Sequence, residues 1–393
     1  MRPPVSSDAL AMEGRRSIVL DAAYSLHDRA FFDNLGTVLV YAVIGTLINM
    51  AAIGPTLYGL NMIGAMGPMN FTFTEGLVFS SLISAVDPVA VLTIFQELGV
   101  HKDLYFLIFG ESLLNDGMTV VMYTTMTNFM MMEEVFGYQY VVAVVAFVVV
   151  VFGGMLIGVA FGCITALVTK VTTDLRVVEP LALLGLSYLS YLTAELFHFS
   201  GIISLITCGL IQAHYALQNI SQKSYTCVKY FTKMASATSD TIIFMFLGMV
   251  LVSDRHQWHT GFVMWSVFFC VFYRFVAVFL LTAIMNQYRI KKVGLEEQFI
   301  AAYGGLRGAV SFSLVNMLDE SLGPRQIFIT ATLAIILVTI FIQGTTVKPL
   351  VALLQIRKAN TGKKSLSEEI SDTTMDHIMA GIEEIVGQHG DFY

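Results

Sequence analysis

Charged side chains are scarce in this sequence. Of its 393 residues only 13% are charged, about half of the fraction usual in soluble proteins. Proline is scarce too, with 8 residues, whereas 56% of the residues are hydrophobic. This composition excludes a disordered chain, a collagen and an ordinary cytosolic enzyme. Water-facing domains of this length cannot bury so much apolar surface, so the sequence predicts an integral membrane protein.

Signals of other architectures are missing as well. The four cysteines, at positions 163, 208, 227 and 270, lack the spacing of a disulfide framework or a metal site, and we expect buried thiols. The alternating strands of a β-barrel are not evident. Residues 1–16 lack the apolar stretch of a signal peptide. The predicted fold class is therefore all-α, a polytopic membrane helix bundle.

Ten apolar stretches are candidates for membrane spans. They cover about residues 35–60, 76–96, 104–130, 138–169, 180–198, 200–217, 240–253, 260–285, 297–318 and 327–354. If the first span leaves the cytoplasm, both termini lie inside. Only Arg255 and Arg325 then fall outside, and three further bases lie within or at the edge of spans. This bias agrees with the positive-inside rule.

The predicted spans divide the chain into three parts. A cytosolic segment covers residues 1–33, and a transmembrane domain covers 34–355. Residues 356–393 begin a cytosolic regulatory tail with an amphipathic helix, whose basic patch at 357–364 is suited to anionic lipid. An Asn-Phe-Thr sequon makes Asn70, in a predicted outer loop, a candidate for glycosylation.

Several ionisable residues fall at predicted membrane depth, where each costs about 2.5 to 3.5 kcal/mol or more. They are Asp87, Glu111, Asp116, Glu195, Asp240, Arg274 and Arg307. Structural ion pairs between helices are one explanation. Because acids outnumber bases, the alternative is that some carboxylates face a water-filled cavity or a cation.

The second predicted span is interrupted beside a carboxylate. In Ser84-Ala-Val-Asp-Pro-Val-Ala-Val, Pro88 cannot donate to the carbonyl of Ser84 and clashes with it. A proline kink used only for packing is the simpler alternative. Free carbonyls next to Asp87, however, are what a hard cation such as sodium needs to replace its water shell.

The third predicted span carries Phe109-Gly-Glu-Ser-Leu-Leu-Asn-Asp. Glu111 and Asp116 lie about 140° apart around a helix, so they cannot form a pair on one face. We expect one of them to face an ion cavity, with Asn115 or another residue beside it. The other should face a neighbouring helix and pair with a positively charged side chain. Arg274 and Arg307 are the candidates at predicted membrane depth.

The ninth predicted span contains Tyr303-Gly-Gly-Leu-Arg-Gly-Ala-Val-Ser. Its glycines make a small-residue packing face, which is one explanation. The other is an unwound segment held by Arg307, whose five donors can satisfy carbonyl ends of interrupted helices. Two interrupted spans in one chain are typical of inverted-repeat transporters.

These motifs resemble a known family. The three segments above, with Tyr191-Leu-Thr-Ala-Glu-Leu-Phe-His and Ile243-Phe-Met-Phe-Leu-Gly, are similar in order and spacing to the sodium/hydrogen exchangers of animal cells. The resemblance implies a thirteen-span inverted-repeat antiporter fold with two crossed interrupted helices, of which this chain matches about ten spans. It also implies a homodimer, no cofactor, and electroneutral exchange of extracellular Na⁺ for cytosolic H⁺ that regulates cell pH and sodium.

The resemblance also implies roles for single residues. Asp116 matches the main carrier of sodium and protons, with Asn115 beside it, and Asp87 matches the aspartate at the helix break. Glu111, Arg274 and Arg307 match positions that hold or shape the site, to which Ser84 and Pro88 contribute. Glu195 matches a functionally sensitive acid, and Asp240 a position where the family has Glu or Asp.

The chain also departs from the family pattern. Only Ile18-Val-Leu-Asp-Ala-Ala-Tyr-Ser-Leu-His remains of one family span, which predicts an N-terminally truncated isoform or gene model. An alternative function follows, in which the chain does not transport and acts as an assembly partner or inhibitor in a heterodimer with a full-length exchanger. An intramembrane aspartyl protease is disfavoured, because Asp87 and Asp116 lack its Gly-x-Gly-Asp context.

The expected partners and location follow from the same resemblance. The chain ends before the helix on which calcineurin-B-like partners dock, so we expect that site to be absent. No feature indicates binding of nucleic acid. The plasma-membrane branch of the family is the closer match, which favours the plasma membrane over an endomembrane.

Overall fold

The computed structural model describes residues 7–26, 28–67, 69, 71–130, 137–172, 178–252, 256–289, 291–318, 323–354, 356 and scattered residues between 367 and 382. Regular structure in these ranges is helical. Asn70 and the basic patch at 357–364 lie outside the described residues.

Sixteen α-helices follow one another in the described part. They are α1 (Ser7–Ser25), α2 (Arg29–Leu39), α3 (Thr46–Met62), α4 (Phe73–Ile83), α5 (Val89–Leu98), α6 (Lys102–Met130), α7 (Gly137–Val171), α8 (Val178–Leu196), α9 (Gly201–Ile211), α10 (Leu217–Asn219), α11 (Gln222–Leu251), α12 (Thr260–Met285), α13 (Leu295–Tyr303), α14 (Ala309–Asn316), α15 (Arg325–Leu337) and α16 (Thr345–Leu353). Short π-helical segments at Val40–Gly45, Gln212–Ala216 and Val338–Gly344 join α2 to α3, α9 to α10 and α15 to α16.

The predicted membrane character is confirmed. Six helical stretches of the described part are long and apolar enough to cross a membrane, which are Ala30–Met62, Val142–Val171, Gly201–Asn219, Gln222–Leu251, Thr260–Met285 and Arg325–Leu353. The second and ninth predicted spans are each divided into two shorter helices, α4 with α5 and α13 with α14. The chain is thus a multi-pass membrane protein built from helices.

The bundle consists of two packed groups of helices. In the first group, α3 packs on α4 and α12, α2 packs on α6, and α14 packs on α15. In the second group, α7 packs on α8 and α9, and α1 packs on α9 and α11. The groups meet where α14 contacts α1 and α11 and where α6 contacts α7 and α9. The two divided spans belong to the first group and lie near this boundary.

Two segments differ from their sequence predictions. Residues 7–25, assigned to a cytosolic segment, form helix α1, which packs within the bundle. Helix α11 begins at Gln222, well before the predicted start at residue 240. Charged residues in both segments, such as Asp21 and Lys229, interrupt the apolar runs by which spans are recognised. Contacts with α9 and α11 hold α1 in the bundle.

The expectation of four buried thiols is half correct. Cys208 and Cys270 are buried, whereas Cys163 and Cys227 are exposed on the outer surfaces of α7 and α11. A cysteine can face lipid as readily as protein in a membrane helix, because both surroundings are apolar. Burial was therefore not determined by the residue type.

Candidate functional site

The two divided helices cross at their breaks. The first break separates Ile83 of α4 from Val89 of α5, and the second separates Tyr303 of α13 from Ala309 of α14. The backbone N–H of Asp87 donates to the carbonyl oxygen of Leu306 at 2.8 Å, which joins one break directly to the other. The interruptions predicted from Pro88 and the glycines are confirmed, and the two interrupted helices cross as the family resemblance implies.

Arg307 holds the second break against the first. Its Nη1 donates to the carbonyl oxygen of Ala85 at 2.8 Å, and its backbone N–H donates to the hydroxyl of Thr339 at 3.2 Å. The side chain is 1% exposed. Because the carbonyl end of a helix carries partial negative charge, the guanidinium stabilises the end of α4 as well as the unwound segment.

Glu111 and Arg274 form a buried ion pair. Arg274 donates to both carboxylate oxygens of Glu111, with an Nη2–Oε2 distance of 3.0 Å, and also donates to the carbonyl oxygen of Ala301 at 3.2 Å. The two carboxylates of α6 therefore lie on different sides of the helix, as its geometry predicts. Glu111 faces a helix that supplies its cation, while Asp116 faces a cavity on another side of α6.

The carboxylate of Asp87 lies at the amino ends of two half-helices. It accepts hydrogen bonds from the backbone N–H of Val89, at 3.1 Å, and of Ala309. A Cβ at Gly308 would lie 2.0 Å from Asp87 Oδ2, so only glycine leaves room for this arrangement. Since the amino ends carry partial positive charge, Asp87 compensates α5 and α14 as Arg307 compensates α4.

Asn115 connects α6 to the first break. Its Oδ1 accepts from the backbone N–H of Val86 at 3.2 Å, and its Nδ2 donates to the hydroxyl of Thr46 at 2.8 Å. Ser112, one turn earlier, donates to the carbonyl oxygen of Val86. Asn115 is 1% exposed and is not among the described residues that line the cavity. Its contacts are those of a residue that fixes the shape of the break.

The sequence reasoning missed Ser112 and Thr46. Ser112 and Asn115 are three residues apart and so share a face of α6 with each other, a pattern that pointed to a polar face toward the break. Thr46 had no such signal, because a lone threonine in an apolar span commonly bonds its own helix. It also does that here, since its hydroxyl donates to the carbonyl oxygen of Ala42 at 2.5 Å.

Ser84 and Pro88 shape the ends of the first break. The hydroxyl of Ser84 donates to the carbonyl oxygen of Ser80 at 2.7 Å, within the last turn of α4. Pro88 precedes the first residue of α5 and lines the cavity. The missing N–H of a proline has no cost at a helix start, where that donor has no intrahelical partner.

A cavity of about 650 Å³ lies between the two groups of helices. Its wall includes four aspartates, three of them on helices and one in the first break, which are Asp21, Asp116, Asp240 and Asp87. Lys229 and Lys233 of α11 also line it and are exposed at its rim. Asp21 was not predicted, because α1 had not been recognised as part of the bundle. Asp240 was predicted, and the structure brings it together with Asp87 and Asp116.

Glu195 lies apart from these residues. It is the last residue but one of α8, and its side chain is exposed. Its described neighbour is Tyr191, which also interacts with Arg16 of α1. The structure therefore does not bring Glu195 together with the other predicted site residues, because it lies at the end of α8 and does not line the cavity.

Known sequences resemble this chain over nearly all of its length. A family profile described as "Sodium/hydrogen exchanger, transmembrane" matches residues 7–353. Sodium/hydrogen exchanger 2 of Oryctolagus cuniculus is 44% identical over 389 residues, which cover 99% of this chain and 48% of that protein. Na(+)/H(+) exchanger protein 7 of Caenorhabditis elegans is 46% identical over 377 residues, which cover 94% and 48%. The chain spans about half the length of the curated relatives it matches.

A solved structure has the same fold. The sodium proton antiporter MjNhaP1 from Methanocaldococcus jannaschii superposes with a TM-score of 0.72 and 18% sequence identity, over 89% of this chain and 88% of that one. At this identity the likeness establishes the architecture alone. The crossed helix breaks, the sequence match from α1 to α16 and the shared architecture agree with one another, and the chain belongs to the sodium/hydrogen exchanger family.

Proposed function

We propose that this chain is a sodium/proton antiporter, not an enzyme, in which Na⁺ and H⁺ compete for Asp116. The observation that carries the proposal is the position of Asp116 on the cavity wall, beside the crossed breaks that hold Asp87. A solvent-reachable carboxylate at an interrupted helix offers a cation both a charge and backbone oxygens. The transported ions are the substrates, and no cofactor is required.

The buried charges around the crossing support this assignment. Arg274 is engaged by Glu111, and Arg307 by the carbonyl oxygen of Ala85. Asp87 receives backbone N–H groups from two helix starts. The charges of Glu111, Arg274 and Arg307 are used in contacts that hold the breaks, whereas Asp87 and Asp116 line the cavity. We therefore assign ion exchange to Asp116, with Asp87 supplying negative potential next to it.

The stoichiometry follows from single occupancy. One carboxylate that holds either one Na⁺ or one H⁺ carries the same net charge in both loaded states, so the cycle is electroneutral. A tenfold sodium gradient corresponds to about 1.4 kcal/mol, the free energy of one pH unit. Inward movement of sodium would therefore expel protons until the two gradients balance, which would regulate cytosolic pH and sodium.

Alternating access needs one closed side for each open one. The rim of the cavity carries Lys229 and Lys233, which the positive-inside rule assigns to the cytosol. At the deep end of the cavity, away from the rim, Ile243 and Leu247 of α11 belong to one apolar cluster with Tyr123 of α6 and Phe312 of α14. We propose that this cluster is the outer seal, and that the two helix groups shift to break it when Asp116 turns outward.

Location and assembly remain proposals. We place the chain in the plasma membrane, as a homodimer or a heterodimer with a full-length exchanger. Contact of residues 357–364 with anionic lipid stays a prediction, since these residues lie outside the described ranges.

Transport by the purified chain tests the proposal. The 393-residue protein is reconstituted in liposomes that contain a pH-sensitive dye, and a sodium gradient is applied. The wild type should move protons against sodium at a rate independent of a potassium–valinomycin voltage clamp. Asp116→Asn should abolish this flux, whereas Asp33→Asn, the same substitution at an exposed position of α2, should leave it unchanged.

Two results would contradict the proposal. Robust exchange by Asp116→Asn would show that Asp116 is not the residue that carries Na⁺ and H⁺. A folded wild-type chain without flux, which gains or inhibits flux only beside a full-length exchanger, would favour the alternative function of an assembly partner.

A further inference from the structure

Two lysines stand at the rim of a cavity whose deeper charges are aspartates. Lys229 and Lys233 lie one turn apart on α11, and both line the cavity. Both are exposed. Within the described part of the chain, neither ammonium group donates a hydrogen bond or lies within ion-pair distance of a carboxylate. Two bare positive charges would repel cations from this entrance, so an anion is expected beside them.

The protein supplies only part of the negative charge that the two lysines require. Asp21 of α1 is the carboxylate whose charge acts on both lysines, and its side chain also interacts with Thr232. One carboxylate beyond ion-pair distance cannot neutralise two ammonium groups. The remaining positive charge is open to a ligand from outside the protein.

The surface next to the lysines is apolar and faces away from the protein. Tyr230 and Met234, which each follow one of the lysines on α11, are 72% and 64% exposed. Lys229 Nζ lies 5.8 Å from the ring centroid of Tyr225, a cation–π contact. Lysine and tyrosine beside exposed apolar side chains are typical of the level at which lipid headgroups meet acyl chains.

We propose that the headgroup phosphate of an anionic membrane lipid binds between Lys229 and Lys233, with its acyl chains along Tyr230 and Met234. The lysines match the charge of the phosphate, and the adjoining apolar surface favours a lipid over a soluble anion. The headgroup neutralises the rim and leaves the four aspartates of the cavity to attract cations.

Lipid binding is measured without reference to transport. The full-length protein in neutral detergent is titrated with phosphatidylglycerol or with phosphatidylcholine, and its melting temperature is followed. Phosphatidylglycerol should raise the melting temperature by about 2 °C or more, and phosphatidylcholine should not. In Lys229→Gln/Lys233→Gln, the concentration of phosphatidylglycerol that gives half of the shift should rise roughly 25-fold, since each lysine near an anionic headgroup contributes about fivefold.

Matched variants separate this site from general surface charge. Lys223→Gln removes an exposed lysine of the same helix that does not line the cavity, and should keep the wild-type shift. Lys229→Arg/Lys233→Arg keeps both charges and should keep the shift as well. If the glutamine pair does not fold, Lys233→Gln alone is compared with Lys223→Gln.

Several outcomes would overturn the inference. A full lipid response in the folded glutamine pair would show that the lysines do not hold the headgroup. An equal loss of the response in Lys223→Gln would reduce the effect to surface charge. An equal shift with sodium phosphate or glycerophosphate would replace the lipid by a soluble anion.

The effect on transport rests on the proposed function. In liposomes, the wild type should exchange ions faster with phosphatidylglycerol present than in phosphatidylcholine alone, and the glutamine pair should lose most of this difference. If phosphatidylglycerol acted only by concentrating sodium at the membrane surface, it would accelerate the wild type and the glutamine pair equally. If lipid binds as expected but no variant exchanges ions, the proposed function fails while the lipid site stands.

Discussion

Arg307 in one helix break donates a 2.8 Å hydrogen bond to the carbonyl oxygen of Ala85 in the other break. The two residues are more than two hundred positions apart, and their contact joins the two unwound segments. Together with the bond from Asp87 to Leu306, it makes the crossing one unit. A change at either break should therefore affect both.

Arg307→Gln tests this link. The variant loses a buried charge that stabilises the end of α4 and leaves the carbonyl of Ala85 without its donor. An unsatisfied buried carbonyl costs about 1 to 3 kcal/mol. We expect a lower melting temperature and loss of sodium-driven proton flux. Lys348→Gln breaks an exposed ion pair with Glu97 and should cost less than about 1 kcal/mol. Wild-type stability and flux in Arg307→Gln would contradict the prediction.

The buried pair of Glu111 and Arg274 should behave as a unit. Loss of one partner leaves an uncompensated charge in the bundle, and Glu111→Gln or Arg274→Gln should each destabilise by about 3 to 5 kcal/mol. The double variant should be less damaged than the sum of the two, because it leaves no buried charge. Unfolding in mixed detergent micelles measures the stability of the wild type, the two single variants and the double variant, which together form a double-mutant cycle. Additive effects would show that the two residues are not coupled.

Gly308 should not tolerate a side chain. The Cβ of an alanine would lie 2.0 Å from Oδ2 and 2.6 Å from Cβ of Asp87, so Gly308→Ala must displace the carboxylate from the two helix starts. We expect exchange to be lost. Gly185→Ala on α8, where a Cβ meets no atom within 4 Å, serves as the control. It should retain exchange, and helix propensity even favours alanine by about 1 kcal/mol. Equal transport by the two variants would refute this account of Gly308.

The outer seal should depend on Ile243, which is 1% exposed. A serine there removes apolar contact from the cluster with Tyr123 and Phe312 and admits water. We expect Ile243→Ser to leak protons several-fold faster than the wild type in the absence of sodium, as measured with the trapped dye. Met245→Ser, on an exposed face of the same helix, should not leak. A proton leak in Ile243→Ser that is no faster than in the wild type would show that this cluster is not the seal.

Much of the site could be predicted because membrane burial makes polar residues informative. An aspartate beside a proline, or an arginine among glycines, is costly in an apolar span unless the helix is interrupted there. The spacing of Glu111 and Asp116 set their faces apart by helix geometry alone. The same rule did not reveal that Glu195 lies away from the cavity, because the side chains that line a cavity are decided by how the helices pack.

The sequence by itself determined the class of protein and the two breaks, because these depend on composition and local stereochemistry. Only the tertiary structure assigned the partners. It paired Glu111 with Arg274 rather than Arg307, used Asn115 to hold Val86, and placed α1 in the bundle so that Asp21 joined the cavity. These outcomes depend on which helices pack side by side, and contacts between residues far apart in the chain leave no mark on local hydropathy.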